Sequence, residues 1–108
     1  MNNLKMETLR KGNGQYPKPG NTVSVHYTGR LTDGTVFDSS YKRGKPFQFK
    51  LGAGNVIRGW DIGVAKMSKG QVCRLRIPPN LAYGNRSVGG VIPSNATLIF
   101  TIELLGYK

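Results

Sequence analysis

One cysteine, one histidine and five acidic residues are all that this 108-residue chain contains of those types. Each shortage removes a class of chemistry. A lone thiol, Cys73, closes no disulfide within the chain and points to a reducing compartment. One His, one Cys and a few dispersed acids do not make a ligand set, so neither a metal nor another cofactor is expected. Nucleophilic catalysis is as poorly supplied. His26 alternates with Tyr27 on a strand and belongs to its polar face. Cys73 falls on the apolar face of another strand, as a buried structural thiol does. Ser39 and Ser40 have no partners at a spacing that suggests a triad. Gly12-Asn13-Gly14 lacks the third glycine of a dinucleotide fingerprint, and Gly52-Ala53-Gly54 is not followed by the Gly-Lys-Ser/Thr of a phosphate loop. No apolar run approaches the roughly 20 residues of a membrane helix. The start, Met1-Asn2-Asn3-Leu4-Lys5, has no apolar stretch behind its charge, so no secretory leader and no membrane association are expected. The expected location is the cytoplasm, or cytoplasm and nucleus.

Positive charge, by contrast, is abundant: sixteen Lys and Arg against five acids give a formal net charge of +11. Such a surface attracts acidic partners in general. The cations are scattered along the chain, with Lys42-Arg43-Gly44-Lys45 the one tight cluster, and no basic residues interleave with a stacking platform of aromatics. Nucleic acid is therefore a disfavoured partner.

Fifteen glycines and six prolines punctuate short periodic segments, the layout of a β-rich domain. Residues 1–108 are read as one domain. Leu4–Leu9 reads as a first strand. Val23, Val25 and Tyr27 alternate with polar residues, and Asp33-Gly34 is a turn that folds Thr22–Leu31 back on Val36–Asp38. Phe47, Phe49 and Leu51 give another strand. Cys73, Leu75 and Ile77 give a further one, ended by Pro78-Pro79. In Thr97–Leu105, Leu98, Phe100, Ile102 and Leu104 share a face. One stretch has a different period: Val56, Trp60, Val64 and Met67 fall at i, i+4, i+8 and i+11, which predicts about three turns of helix stopped near Gly70. Gly59 and Gly63 each weaken that helix by about 1 kcal/mol relative to Ala. An apolar helix this short needs a sheet to cover it. The expected fold is α+β: a five- or six-stranded antiparallel sheet curled around one short helix.

Aromatic residues gather beside turns: Tyr27, Phe37, Tyr41, Phe47, Trp60, Tyr83 and Phe100, with Phe49 read as core. Asp38 follows Phe37 directly, Arg43 is near, and Tyr83 sits in a glycine-bounded loop. Apolar walls with a few aimed polar groups describe a small-ligand pocket.

Six ordered blocks resemble the FKBP-type immunophilins, prolyl isomerases that bind tacrolimus and rapamycin. They are Val25-His26-Tyr27-Thr28-Gly29, Val36-Phe37-Asp38-Ser39-Ser40, Lys45-Pro46-Phe47, Val56-Ile57-Arg58-Gly59-Trp60, Leu81-Ala82-Tyr83-Gly84 and Ile92-Pro93-Ser94-Asn95-Ala96-Thr97-Leu98-Ile99-Phe100. The resemblance spans essentially the whole chain. It implies peptidyl-prolyl cis–trans isomerisation without covalent chemistry, with Tyr27, Phe37, Asp38 and Phe100 as catalytic residues. It implies a floor at Trp60 and walls from Tyr27, Phe37, Phe47, Val56, Ile57, Ile92 and Phe100. Asp38 and Tyr83 would hydrogen-bond at the rim, beside Arg43 and Val88. Asn55 would act through its backbone carbonyl, and the Ile57 amide would donate to a ligand carbonyl. Asn55, Ser94 and Val88-Gly89-Gly90-Val91 depart from the commonest family pattern. The implied partners are proline-containing polypeptides, the two macrolides and, in the drug-bound state, a calcineurin-type phosphatase or a TOR-type kinase. That composite surface would include Asp38, Arg43, Val88 and Ile92. The alternative is a binding module whose isomerase activity is incidental. A monomer is the default.

Overall fold

A computed structural model describes residues 4–108. Six strands form one antiparallel sheet: β1 (Lys5–Arg10), β2 (Thr22–Leu31), β3 (Val36–Ser39), β4 (Phe47–Lys50), β5 (Val72–Ile77) and β6 (Leu98–Tyr107). Their order is β1-β5-β6-β2-β3, with β4 also paired to β2. The long strands β2 and β6 are the middle of the sheet, paired from Val23↔Tyr107 to Leu31↔Leu98 with a one-residue register shift between Ser24 and Val25. Side-chain alternation does the rest. Val23, Val25 and Tyr27 of β2, Cys73, Leu75 and Ile77 of β5, and Leu98, Phe100, Ile102 and Leu104 of β6 are all buried on the concave face.

One edge of the sheet is broken. β3 pairs with the second half of β2 and β4 with its first half. Between them the chain leaves the ladder as a four-residue helical turn, α1 (Ser40–Arg43), which periodicity alone did not announce. Ser39 caps it, its hydroxyl accepting from the Tyr41 N–H, and Gly44 ends it at φ 71°.

The principal helix, α2 (Arg58–Val64), is shorter than its periodicity predicted. Val56 precedes it and Met67 follows it. Ile57, at ψ 151°, is extended and serves as the cap. Beyond Val64 the bonds tighten to Lys66 N–H→Gly63 C=O and Met67 N–H→Val64 C=O, spacings of three residues. Val64 and Met67 are nonetheless fully buried, so the apolar face continues where the α-helix does not. Smaller corrections apply to strand ends: β1 begins and ends one residue later than read, β3 runs one residue further, Leu51 lies just past β4, and β6 begins one residue later and ends two later.

Gly59 and Gly63 are explained by contact. A Cβ on Gly59 would lie 2.5 Å from Ile77 Cγ2, and one on Gly63 would lie 2.7 Å from Leu75 Cδ1. The helix rests on β5 at a distance only glycine permits. Intrinsic helix propensity predicts that Gly59→Ala stabilises by about 1 kcal/mol. The packing predicts the reverse, a loss of about 1–3 kcal/mol from overpacking. Urea denaturation of Gly59→Ala decides between them, and a lower midpoint is expected.

Candidate active site

The concave side of the sheet and the start of α2 enclose a cavity of about 400 Å³. Its lining comprises Tyr27, Phe37, Asp38, Arg43, Phe47, Asn55, Val56, Ile57, Trp60, Tyr83 and Phe100. Trp60 is packed on several sides by aromatic rings. Tyr27 (centroid distance 4.8 Å), Phe100 (5.1 Å) and Phe47 (5.9 Å) meet it edge-to-face, and Phe49 (5.7 Å) is tilted beneath it. Phe49 itself is buried and stays outside the lining, as a core residue. The wall continues from Phe100 to Phe37 through another edge-to-face pair at 5.5 Å. Gly29 makes this possible: a Cβ there would lie 2.7 Å from both Phe37 Cζ and Phe100 Cε1.

A polar corner stands against these rings. The Tyr27 hydroxyl donates to Asp38 Oδ2 at 2.6 Å. Arg43 Nη1 donates to Asp38 Oδ1 at 2.8 Å, and Nη2 donates to the Tyr27 oxygen at 2.7 Å. The Ser39 N–H adds a bond to Oδ1 at 2.8 Å. The guanidinium also lies 5.6 Å from the Tyr27 ring centre. Burial acts to raise the Asp38 pKa, but the bonds from Tyr27 and Arg43 outweigh it and hold the carboxyl below its ordinary range. Burial, with Asp38 as acceptor, raises the Tyr27 phenol. Burial and then the Asp38 charge raise Tyr83, whose hydroxyl has no hydrogen-bond partner among the described residues.

Folding positions these groups through one residue that sequence reasoning weighed only as a nucleophile. Ser40 is fully buried, and its hydroxyl oxygen accepts the Tyr27 N–H at 2.8 Å and lies 2.8 Å from His26 Nδ1. The β2–β3 ladder pairs Thr28 with Ser39, so Tyr27 and Ser40 would be its next rung. The chain turns into α1 there, and a side-chain hydroxyl takes the amide bond that the backbone would have accepted. His26, stacked on Tyr41 at 4.5 Å, closes the other side of α1. Arg43 on α1 is thereby held over Tyr27. On the opposite wall, Asp61 of α2 accepts from the Gly52 and Gly54 amides and secures the loop that carries Asn55 and Val56. The Ile57 carbonyl accepts from Trp60 and Asp61, whereas its N–H has no acceptor among the described residues.

Two residues implied by the resemblance are not brought into the lining, Val88 and Ile92. They bond to each other across a short bridge, Val88 N–H→Ile92 C=O at 2.9 Å and Ile92 N–H→Val88 C=O at 3.1 Å. Gly89 and Gly90, at φ 57° and 68°, make that turn. Ile92 faces the core, Val88 is partly exposed, and Tyr83 is this loop's contribution to the cavity. Cys73 is remote from this site, fully buried, with its pKa raised by burial.

Comparison with known proteins agrees with this architecture. Residues 13–105 match the FKBP-type peptidyl-prolyl cis-trans isomerase family. The chain belongs to that family. FK506-binding protein 1 of Dictyostelium discoideum is 55% identical over 105 residues, covering 97% of this chain and 98% of that protein. Peptidyl-prolyl cis-trans isomerase Fkbp12 of Drosophila melanogaster is 59% identical over 103 residues, covering 94% and 95%. A peptidyl-prolyl cis-trans isomerase of Schizosaccharomyces pombe is 50% identical over 103 residues, covering 94% and 92%. The enzyme class of this FKBP-type chain is accordingly peptidyl-prolyl isomerase.

The depressed Asp38 pKa has a direction for stability. Ionised Asp38 is favoured by folding, so its contribution is complete above the unfolded carboxyl value of about 3.9 and is lost as pH falls through the lower, folded value. The carboxyl carbon shift of Asp38 in NMR should stay at its ionised position from neutral pH to about pH 4 and move only below that. A midpoint above pH 4 would contradict the Tyr27–Asp38–Arg43 bonding described above.

Proposed function

We propose that this cavity receives the proline ring of an X-Pro segment on the Trp60 floor and lowers the barrier to rotation of the preceding amide. The observation that carries the reading is the Ile57 N–H, without an acceptor among the described residues, beside an aromatic cavity of about 400 Å³. An apolar ring fills such a space, and the Ile57 N–H, which has no acceptor among the described residues, receives a carbonyl of the same segment.

The uncatalysed barrier is roughly 18–20 kcal/mol, and exchange takes tens to hundreds of seconds. It is a loss of amide resonance. The twisted amide has a pyramidal nitrogen and a less polarised carbonyl, and no bond breaks. Water favours the planar, polar ground state, so walls of Phe37, Phe47, Val56 and Phe100 that exclude it favour rotation. Aromatic edges carry the positive part of the ring quadrupole. Tyr27, Phe37 and Phe100 offer such edges to the turning carbonyl, and contacts that improve on twisting are those that accelerate it. Asp38 acts electrostatically and by orientation. Its carboxylate is held ionised, so it is not a proton donor at neutral pH. Tyr83 supplies a hydroxyl at the rim.

The same cavity would hold tacrolimus and rapamycin, a reading supported by relatives named as FK506-binding proteins. Asp38 and Arg43 would then lie at the edge of a composite surface for a calcineurin-type phosphatase or a TOR-type kinase. A monomer in the cytoplasm or nucleus is the setting this reading assumes, in keeping with a single, buried thiol.

Accelerated exchange of X-Pro peptides, blocked by rapamycin, is the expected result. Phe37→Ala should lower kcat/KM by about ten-fold or more through loss of wall contacts made to the twisted amide. Rapamycin should change the emission of Trp60. At about 100 times Kd it should raise Tm by roughly 10–20 °C, because ligand bound only to the folded state adds about 2.7 kcal/mol. Unchanged emission and Tm at saturation would remove the pocket assignment.

A further inference from the structure

All five acidic side chains of this protein are already engaged. Glu7 pairs with Arg74 at 3.0 Å, Glu103 with Arg10 at 2.8 Å and Asp38 with Arg43 at 2.8 Å. Asp61 accepts the Gly52 and Gly54 amides, and Asp33 accepts the Thr35 amide at 2.9 Å. The cations are in a different position. Lys42 adjoins Arg43 on α1, Lys45 lies two residues before Phe47, and Arg58 follows Ile57. Arg86 belongs to the Tyr83 loop, its N–H donating to the Tyr83 carbonyl at 3.1 Å. Each therefore sits within two residues of a cavity-lining residue or is bonded to one. All four are exposed, and none has an ion-pair partner among the described residues.

We infer that this rim selects acidic polypeptides: X-Pro segments with aspartate or glutamate at the positions flanking the X-Pro pair. The inference rests on the isomerase reading and adds to it a substrate class. The cavity interior cannot make this selection. Its only charged groups are Asp38 and Arg43, which neutralise one another, and the remainder is aromatic, aliphatic or amide. The ring of an X-Pro segment is uncharged and enters irrespective of its neighbours. Those neighbours would leave the cavity past the segments that carry Lys42, Lys45, Arg58 and Arg86, each adjoining the lining in sequence or by a backbone bond. Charges within a Debye length of about 10 Å at 0.1 M salt interact with little need for fixed geometry, so flexible lysine and arginine side chains suffice. The field also raises the local concentration of acidic segments, which a net charge of +11 reinforces at longer range. A lysine or arginine beside the proline is repelled by the same field and meets no free carboxylate.

The test is an isomerisation assay on three peptides that share one X-Pro pair and carry neutral, glutamate or lysine residues on both flanks. Summed over four rim cations, kcat/KM should be about five-fold higher for the glutamate peptide than for the neutral one in ~20 mM salt, and lower for the lysine peptide. The difference should reside in KM, since the flanks are bound alike before and during rotation. It should shrink to within about two-fold near 0.5 M salt. The double variant Lys45→Glu/Arg86→Glu should lose the preference while turning over the neutral peptide unchanged. The charge-matched Lys66→Glu/Arg76→Glu, whose residues are away from the cavity lining, should keep most of it. Equal loss in both double variants would assign the effect to net charge and overturn the rim. Turnover of the neutral peptide with no flank preference would overturn the inference and leave the isomerase intact. No turnover of any of the three would overturn the isomerase reading itself.

Discussion

The close approach of α2 to β5 is the constraint on which the site depends. Two glycines, Gly59 and Gly63, let the helix backbone meet Ile77 and Leu75 where any Cβ would collide. Trp60 lies between them in the sequence and is thereby lowered into the bowl of the sheet, 4% exposed and hemmed by Tyr27, Phe47, Phe49 and Phe100. Alanines at those positions would have to stand further off from β5 or displace Ile77 and Leu75. Helix stability and pocket depth are thus in opposition, and the chain has resolved the conflict in favour of depth. Seven helical residues are about two turns, too few to persist without the sheet.

A second glycine contact shapes the opposite wall. Gly29 leaves the space that Phe37 and Phe100 fill. The ladder sets Gly29 opposite Phe100 on β6 and Asp38 on β3. One missing Cβ on the central strand therefore admits two aromatic rings, beside the residue whose carboxylate forms the polar corner. The broken edge does the remaining work. An unbroken β3–β4 strand would continue the ladder past Tyr27 and carry no helix to hold Arg43. Turning out at Ser40 brings Arg43 back to the Tyr27 hydroxyl and Asp38, and the buried Ser40 hydroxyl keeps the Tyr27 amide satisfied at the break.

Much of this was readable from the residues, and what was not has physical reasons. Strands β2, β5 and β6 are buried on one face, so period-two alternation exposes them. The turn at Asp33-Gly34 carries its own chemistry. Trp60, Tyr27 and Phe37 announced a pocket because core aromatics have no need of Asp38 and Arg43 beside them. The length of α2 was overread because the apolar period persists through Val64 and Met67 after α-helical bonding has given way to tighter turns. A period reports which face is buried, not which carbonyl accepts. The worth of Gly59 and Gly63 was misjudged for a related reason: propensity is a property of an isolated helix, and their role appears only against β5. Ser40 was weighed only as a nucleophile, because a serine that replaces a backbone acceptor has no sequence signature. Val88 and Ile92 were carried over from a resemblance, and here they bond to one another in a loop whose turn is Gly89-Gly90.

The scarcity of acids, histidine and cysteine, which speaks against nucleophilic and metal chemistry, agrees with the chemistry of the family. Rotation about an amide transfers no proton and forms no bond, so a nucleophile or base at the site would be idle or harmful. What rotation needs is a fixed shape that is dry on most sides and polar at defined points. Asp38 meets that need because it is not free. With bonds from Tyr27, Arg43 and the Ser39 amide, its carboxylate is oriented and remains ionised at neutral pH. The other acids are tied down elsewhere in the fold. At this site the unpaired charge is left to the rim, where it can act on the neighbours of a proline without disturbing the apolar space in which the amide turns.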